Sequence, residues 1–278
     1  MTVFEASGKL VLLGEYAVVD GGAALVLAVA QGVRCTVSPA PQRIVETPMG
    51  DDRFVQAALD AVSAPPARYR FEDREPIELD GKPGFGGSAA ATVAALRAGG
   101  FVGPLEDLVG LGIRVHREVQ GSGSGVDVAA AAWGGGVSFR DGRCAEVALP
   151  TPVVVYSGQS ARTGPRVEAY RAWSGRQAFV DASDALVSAF PSDPVGGMRD
   201  AWRLLCAMAD AAGLAYRTPA IDRIVALAED QGGAAKPSGA GGGDVVVALV
   251  PDRPAFERGI ASLGLPVLNI RPDPPRRV

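Results

Sequence analysis

Apolar residues recur along this chain in two patterns, and each predicts its own elements. Continuous β-branched or aliphatic runs predict strands at Phe4–Leu13, Ala24–Val29, Val33–Val37, Val153–Tyr156 and Val245–Val250. Gln31–Gly32 separates the second run from the third. Helical spacing marks Asp51–Val62, where Phe54, Val55, Ala58, Leu59 and Val62 share a face. It also marks Leu105–Gln120, with Leu108, Leu111 and Val115 on one side. Ala89–Ala98 reads as a helix of small side chains that can lie close against a neighbour. Three further helices are predicted over about Pro165–Ala189, Gly197–Ala212 and Pro219–Asp230. Tyr69–Phe71 and Ile77–Leu79 are short strand candidates, and Val137–Phe139 with Cys144–Leu149 reads as a hairpin around Asp141–Gly142. Strands, then helices, then a strand predict an α+β fold. Pro150–Pro152 is the expected boundary between domains 1–150 and 151–278.

Between these elements lie three glycine clusters. The first, Pro83–Gly84–Phe85–Gly86–Gly87–Ser88–Ala89–Ala90, opens the small-residue helix. Glycines feeding a helix N-terminus aim several backbone N–H groups at one point, and the helix dipole adds positive potential there. That is a phosphate cradle. Gly84-x-Gly86-x-x-Ala89 also fits a dinucleotide fingerprint, but that motif should end a first strand of a parallel βαβ unit. No G-x-x-x-x-G-K-[ST] occurs. Ser88 sits where loop becomes helix, able to cap it or to face a cation beside phosphate oxygens.

The second cluster, Gly121–Ser122–Gly123–Ser124–Gly125–Val126–Asp127, sets a carboxylate among small apolar residues. Such a group costs desolvation unless it is used or paired; the plain alternative is a cap for a helix from near Val128. Lys9 is the only Lys or Arg before Arg34 and lies on an otherwise apolar strand, so it is either an edge lysine on the surface or a used cation. The third cluster, Ser238–Gly239–Ala240–Gly241–Gly242–Gly243–Asp244, leads into the last strand. Arg162 and Arg166, in and beside the polar loop Ser157–Thr163, suit an anion or a solvated face equally.

Composition narrows the function classes. The 278 residues, 47% of them hydrophobic, suffice for one large or two medium globular cores. A net charge of −4 argues against a nucleic-acid partner. Cys35, Cys144 and Cys206 are scattered and odd in number, which predicts free thiols in a reducing compartment. The single histidine, His116, excludes a histidine-rich metal site and reads as a structural residue or a base. Gly21–Val33, the longest uncharged run near the N-terminus, is too short to span a bilayer, so the expectation is a soluble cytoplasmic protein without a membrane partner.

The three clusters, in this order and with these flanks, resemble the GHMP kinases, the galactokinase–homoserine kinase–mevalonate kinase–phosphomevalonate kinase family. Ala6–Val18 looks like the first family motif, Pro83–Ala90 like the second, which is the ATP-phosphate loop, and Ser238–Asp244 like the third. Within the family, Gln120–Ala131 and Tyr156–Thr163 are most similar to the phosphomevalonate kinase branch. Mevalonate and homoserine kinases tend to carry a proline before the matching Ser-Gly and an Asn after the Asp.

The resemblance implies a two-domain fold, with a ribosomal-protein-S5-like N-terminal domain and a ferredoxin-like α/β C-terminal domain. It implies ATP and Mg²⁺, and transfer of the γ-phosphoryl to a small phosphorylated acid, mevalonate 5-phosphate. Mevalonate or another small molecule is the alternative acceptor, and decarboxylation of a diphosphate the more distant one. Lys9 and Asp127 would carry catalysis, Pro83, Gly84, Phe85, Gly86, Gly87, Ser88, Ala89 and Ala90 would hold ATP, and Ser88 would meet Mg²⁺. Lys9, Glu15, Tyr16, Ser124, Gly125, Asp127, Ser160, Arg162, Ser238, Gly239, Ala240 and Gly241 would line the acceptor, with Arg166 and Lys236 as further cationic candidates. Retention of Lys9, Ser88 and Asp127 speaks against the family's ligand-sensing members. Three positions depart from the pattern: Gly87 replaces the first of two serines, Tyr16 stands where mevalonate kinases often have histidine, and His116 stands where several relatives have a magnesium-binding glutamate.

Overall fold

The computed structural model describes residues 1–276 except 49, 80, 82 and 162, without the side chain of Thr163. β1 (Thr2–Leu13) and β2 (Ala24–Ser38) form a long antiparallel ribbon. β3 (Ile44–Glu46), α1 (Arg53–Ala61) and β4 (Arg68–Arg74) follow, then α2 (Gly87–Ala98), α3 (Leu105–Gln120), α4 (Val126–Trp133) and the hairpin β5 (Gly136–Arg140)–β6 (Arg143–Glu146). β2 is the spine of this sheet: it pairs with β1 along most of its length, with β5 through residues 24–27 and with β4 through residues 32–38. The chain continues through β7 (Val153–Tyr156), α5 (Thr163–Ala172), α6 (Arg176–Ala189), α7 (Pro194–Ala212), α8 (Pro219–Asp230), β8 (Ala234–Pro237), β9 (Val245–Leu249), α9 (Arg253–Ser262) and β10 (Val267–Leu268). The second sheet runs β10-β7-β9-β8.

The continuous apolar runs follow from how these sheets stack. Alternate residues of a strand point to opposite faces. Val11, Val26 and Ala28 pack under α1–α4 with Val93, Leu96, Val109 and Val128. Their neighbours Leu10, Leu12, Leu25 and Leu27 pack instead with Val154, Tyr156, Val245 and Val247 of the second sheet. On that sheet Val153, Val155, Val246 and Ala248 turn to the other side, toward Trp202, Leu205, Ile224 and Phe256 of α7–α9. Where the two sheets face each other both are thus covered on both sides, so β7, β9 and the stretches of β1 and β2 around Leu10–Leu13 and Ala24–Val29 have no polar alternation to show.

A C-terminal segment returns to the first sheet. Asp273 N–H donates to the Ala28 carbonyl and Ala30 N–H to the Arg271 carbonyl, both at 2.9 Å. The buried Asp273 carboxylate accepts from Ser7 Oγ at 2.6 Å and from both terminal nitrogens of Arg74 at 2.7 and 2.9 Å. These charge-assisted bonds fix β1 two residues before Lys9.

Several expected elements change. The two strands on either side of Gln31–Gly32 are one, because Gly32 and Gly8 let the two backbones approach where the β1 register shifts between Ala6 and Gly8. The expected Pro165–Ala189 helix is two: Trp173 N–H bonds back to the Tyr170 carbonyl, and Gly175 caps a new start. Ile77–Leu79 is not a strand, although both side chains pack on the inter-sheet core. α9 begins at an Asp252 cap, whose Oδ1 accepts the Ala255 N–H at 2.9 Å, a start signal that the apolar pattern alone passes over. Leu105–Gln120, Val153–Tyr156 and Pro219–Asp230 run as expected. All three cysteines are free, and no helix among the described residues is long and apolar enough to cross a membrane.

Candidate active site

The first glycine cluster forms a helix mouth. Gly86, at φ 77°, is the residue before α2, and the first helical hydrogen bond runs from Ala90 N–H to the Gly86 carbonyl. The N–H groups that precede it therefore point out of the open end. Gly87 has no neighbour within 4 Å of where a Cβ would stand, so the cradle is open on that side. Pro83 and Gly84 lead into it, while Ala89 and Ala90 are buried against the first sheet. Phe85, the aromatic between two glycines, buries its ring in the inter-sheet core and accepts the Lys9 N–H on its carbonyl at 3.0 Å.

That bond sets Lys9 beside the cradle. Its side chain is 10% exposed, and Nζ stands 3.8 Å from Asp127 Oδ1. A Cβ on Gly86 would press on Lys9 Cγ at 3.2 Å and touch Asp127 Cβ at 3.5 Å, so both residues close over the loop at this point, where the φ of 77° itself favours glycine. Asp127 lies in the first turn of α4, whose cap is Gly125 at φ 94°; the aspartate is not the cap. Ser124 Oγ accepts the Val126 N–H at 3.3 Å, and Arg117 holds the Gly123 and Ser124 carbonyls at 2.8 and 3.0 Å. Ser88 does not cap α2 either. Its Oγ lies 3.0 Å from His116 Nε2. His116 stacks on Phe54 at 4.9 Å between ring centres. Burial pushes the imidazole pKa down, against the pull of nearby Asp127.

The third cluster closes the site from the second sheet. Gly239 brings its backbone to Lys9, Nζ lying 4.0 Å from where a Cβ would be. Ser238 Oγ accepts the Val11 N–H of β1 at 2.8 Å, and Tyr16 donates its hydroxyl to the Ala240 carbonyl at 2.6 Å. Both hydroxyls tie loops together. Tyr16 is buried against Tyr170 and Tyr216, and Gly241 packs on the Tyr216 ring. Lys236, wholly buried, pairs with Glu15 Oε1 and donates to the Pro237 carbonyl at 2.9 Å. The other Glu15 oxygen is buried without a hydrogen-bond partner among the described residues. Burial pushes the Lys236 pKa down, and Glu15 opposes the shift. Ser160 is exposed on the loop after β7, and Arg166 of α5 lies against Gly242; Arg162 lies outside the described residues.

Asp244 ends the third cluster, and its carboxylate touches both the loop after β7 and the phosphate loop. The signal in the sequence is a non-glycine residue directly after three consecutive glycines; in the structure its backbone is left-handed.

The models for the GHMP kinases N terminal domain and the GHMP kinases C terminal match residues 53–135 and 196–264. A phosphomevalonate kinase from a Streptomyces species is 30% identical over 89% of this chain and 89% of its own length. A mevalonate kinase from Archaeoglobus fulgidus is 30% identical over 89% of this chain and 92% of its own. The Streptococcus pneumoniae phosphomevalonate kinase, solved with phosphomevalonate and AMPPNP, superposes with a TM-score of 0.82 at 19% identity, covering 98% of this chain and 100% of that one, which shows a shared fold. The helix mouth, the lysine over it and the glycine loop closing from the second sheet thus stand on an α+β scaffold shared with phosphotransferases that use ATP, and the chain belongs to the GHMP kinase family.

Proposed function

We propose that this protein transfers the γ-phosphoryl of ATP to mevalonate 5-phosphate, giving ADP and the 5-diphosphate. The observation that carries the reading is the convergence on Lys9 of the phosphate loop at Gly86, the Asp127 carboxylate and the third glycine loop at Gly239. An ammonium so held meets both the γ-phosphate in the cradle and an acceptor on the 151–278 side. In this reading residues 1–150 carry the nucleotide and residues 151–278 complete the acceptor site.

A phosphomonoester has a second pKa of about 6 and is largely dianionic at neutral pH. Its oxygen attacks the γ-phosphorus while the bond to the β-bridging oxygen breaks and ADP leaves. No proton has to be removed from the nucleophile, so the difficulty is charge, and Lys9 and Arg166 supply cations. Asp127 orients Lys9. Glu15, buried on Lys236, holds the turn after β1 in place, while Ser124, Gly125, Ser160 and the 238–241 loop shape the acceptor pocket.

Among the described residues no three His, Cys, Asp or Glu side chains cluster as a metal cage. The Ser88 hydroxyl at the helix mouth suits Mg²⁺, which retains waters and takes most of its ligands from substrate phosphates. Bound there, the ion would neutralise phosphate charge.

Mevalonate is the second reading, favoured by the equal identity to a mevalonate kinase and by a carboxylate 3.8 Å from Lys9 that could accept a proton from a hydroxyl. A coupled assay for ADP with each acceptor decides between them. Turnover with mevalonate 5-phosphate and little with mevalonate is expected; the reverse preference, or release of carbon dioxide from a diphosphate, overturns the proposal.

A further inference from the structure

Three loops meet at Asp244. Its backbone is left-handed at φ 54°, a conformation that strains a residue with a Cβ and persists where surrounding contacts enforce it. Those contacts come from the loop after β7. Asp244 Oδ1 accepts the Ala161 N–H at 2.9 Å, its own N–H donates to the Gln159 carbonyl at 2.8 Å, and its carbonyl accepts the Ser157 N–H at 2.9 Å. Gln159 adds a second tie, donating from Nε2 to the Gly242 carbonyl at 2.8 Å.

The same carboxylate faces the phosphate loop. A Cβ on Gly84 would meet Asp244 Oδ2 at 2.8 Å. Just upstream, a Cβ on Gly81 would meet Ser160 Oγ at 2.7 Å and the Tyr156 hydroxyl at 2.8 Å. Gly81 therefore lies against Ser160 and Tyr156, and Gly84 against Asp244, which stands between the phosphate loop and the 157–161 loop. Lys9 and Arg166 both act electrostatically on this carboxylate.

We propose that Asp244 is a positioning residue that latches the acceptor-side loop 157–161 to the ATP phosphate loop, so that filling one orders the other. The inference rests on the reading of the chain as an ATP-dependent kinase with its acceptor beside that loop. A glycine at this position would satisfy the backbone better and lose the latch, whereas asparagine keeps both an oxygen for Ala161 and tolerance of the left-handed turn.

Hydrogen exchange of the 157–161 segment, with and without AMP-PNP and with no acceptor present, tests the link in the wild type, Asp244→Asn and Asp244→Gly. Steady-state kinetics with whichever acceptor the wild type uses, and the melting temperature of each variant, complete the set. AMP-PNP is expected to slow exchange about threefold or more in the wild type and Asp244→Asn, but not in Asp244→Gly. The glycine variant is expected to melt no lower than wild type, with acceptor KM raised about tenfold and kcat changed less than about threefold. Gln159→Ala, which leaves the Asp244 backbone untouched, is expected to show the same pattern more weakly. Wild-type protection and KM in Asp244→Gly, or in Gln159→Ala should the glycine variant not fold, overturn the latch. So does equal loss in Asp244→Asn, since the Ala161 bond would then not be the link. The exchange arm needs no acceptor, so a mistaken acceptor assignment leaves it standing.

Discussion

Two lysine–carboxylate pairs lie in one site and are built in opposite ways. Lys236 and Glu15 are in direct contact, with side chains 0% and 3% exposed. Lys9 and Asp127 stand 3.8 Å apart, and the Asp127 side chain is 37% exposed. The closed pair consumes its charges at home and fastens the turn after β1 to β8. The open pair leaves both charges able to answer a third one. A tightly paired buried lysine is therefore a part of the fold, and a loosely paired one beside a helix mouth is the candidate for chemistry.

The largest effect expected from this contrast is on rate. Lys9→Ala should lower kcat on the order of 10³-fold, as does loss of a main charge-stabilising group, while melting stays near that of the wild type. A near-normal rate would break the assignment of the open pair. Lys236→Met should act on stability instead. Urea titration should show a loss of about 3–5 kcal/mol, because Glu15 is left buried and uncompensated. Adding Glu15→Leu should restore most of that loss; a Lys236→Met chain as stable as the parent would mean that the pair is not closed.

Asp127→Asn should be milder than Lys9→Ala, with kcat reduced roughly tenfold, since a dianionic acceptor needs no base. Abolished activity in a folded variant would count against a phosphate acceptor. The smallest effect belongs to His116. Burial holds its pKa below the ordinary value of about 6.5, so the unfolded chain takes up the proton first as pH falls. The folded state therefore loses stability on acidification through that window. His116→Gln should remove this part of the slope, read as melting temperatures that converge or cross between neutral and mildly acidic pH; parallel curves would contradict the buried neutral imidazole.

The sequence made the cradle visible because glycines before a small-residue helix leave few other structures available. It made Leu105–Gln120 and Val153–Tyr156 visible because periodicity and an apolar run each have one reading there. It hid the continuity of β2, since Gly32 looks like a turn and serves as a close-approach point against β1. It hid the roles of Tyr16 and Ser238, whose hydroxyls bond to residues more than two hundred positions away. Asp244 stayed hidden for the same reason, because its partners Ala161 and Gly84 come from two other loops.

The most direct measurement is phosphorus NMR of the wild-type protein with ATP, Mg²⁺ and mevalonate 5-phosphate. The monoester resonance is expected to give way to the coupled pair of a diphosphate as ADP accumulates in step. A monoester that persists unchanged, while mevalonate in a parallel tube becomes a new monoester, would contradict it.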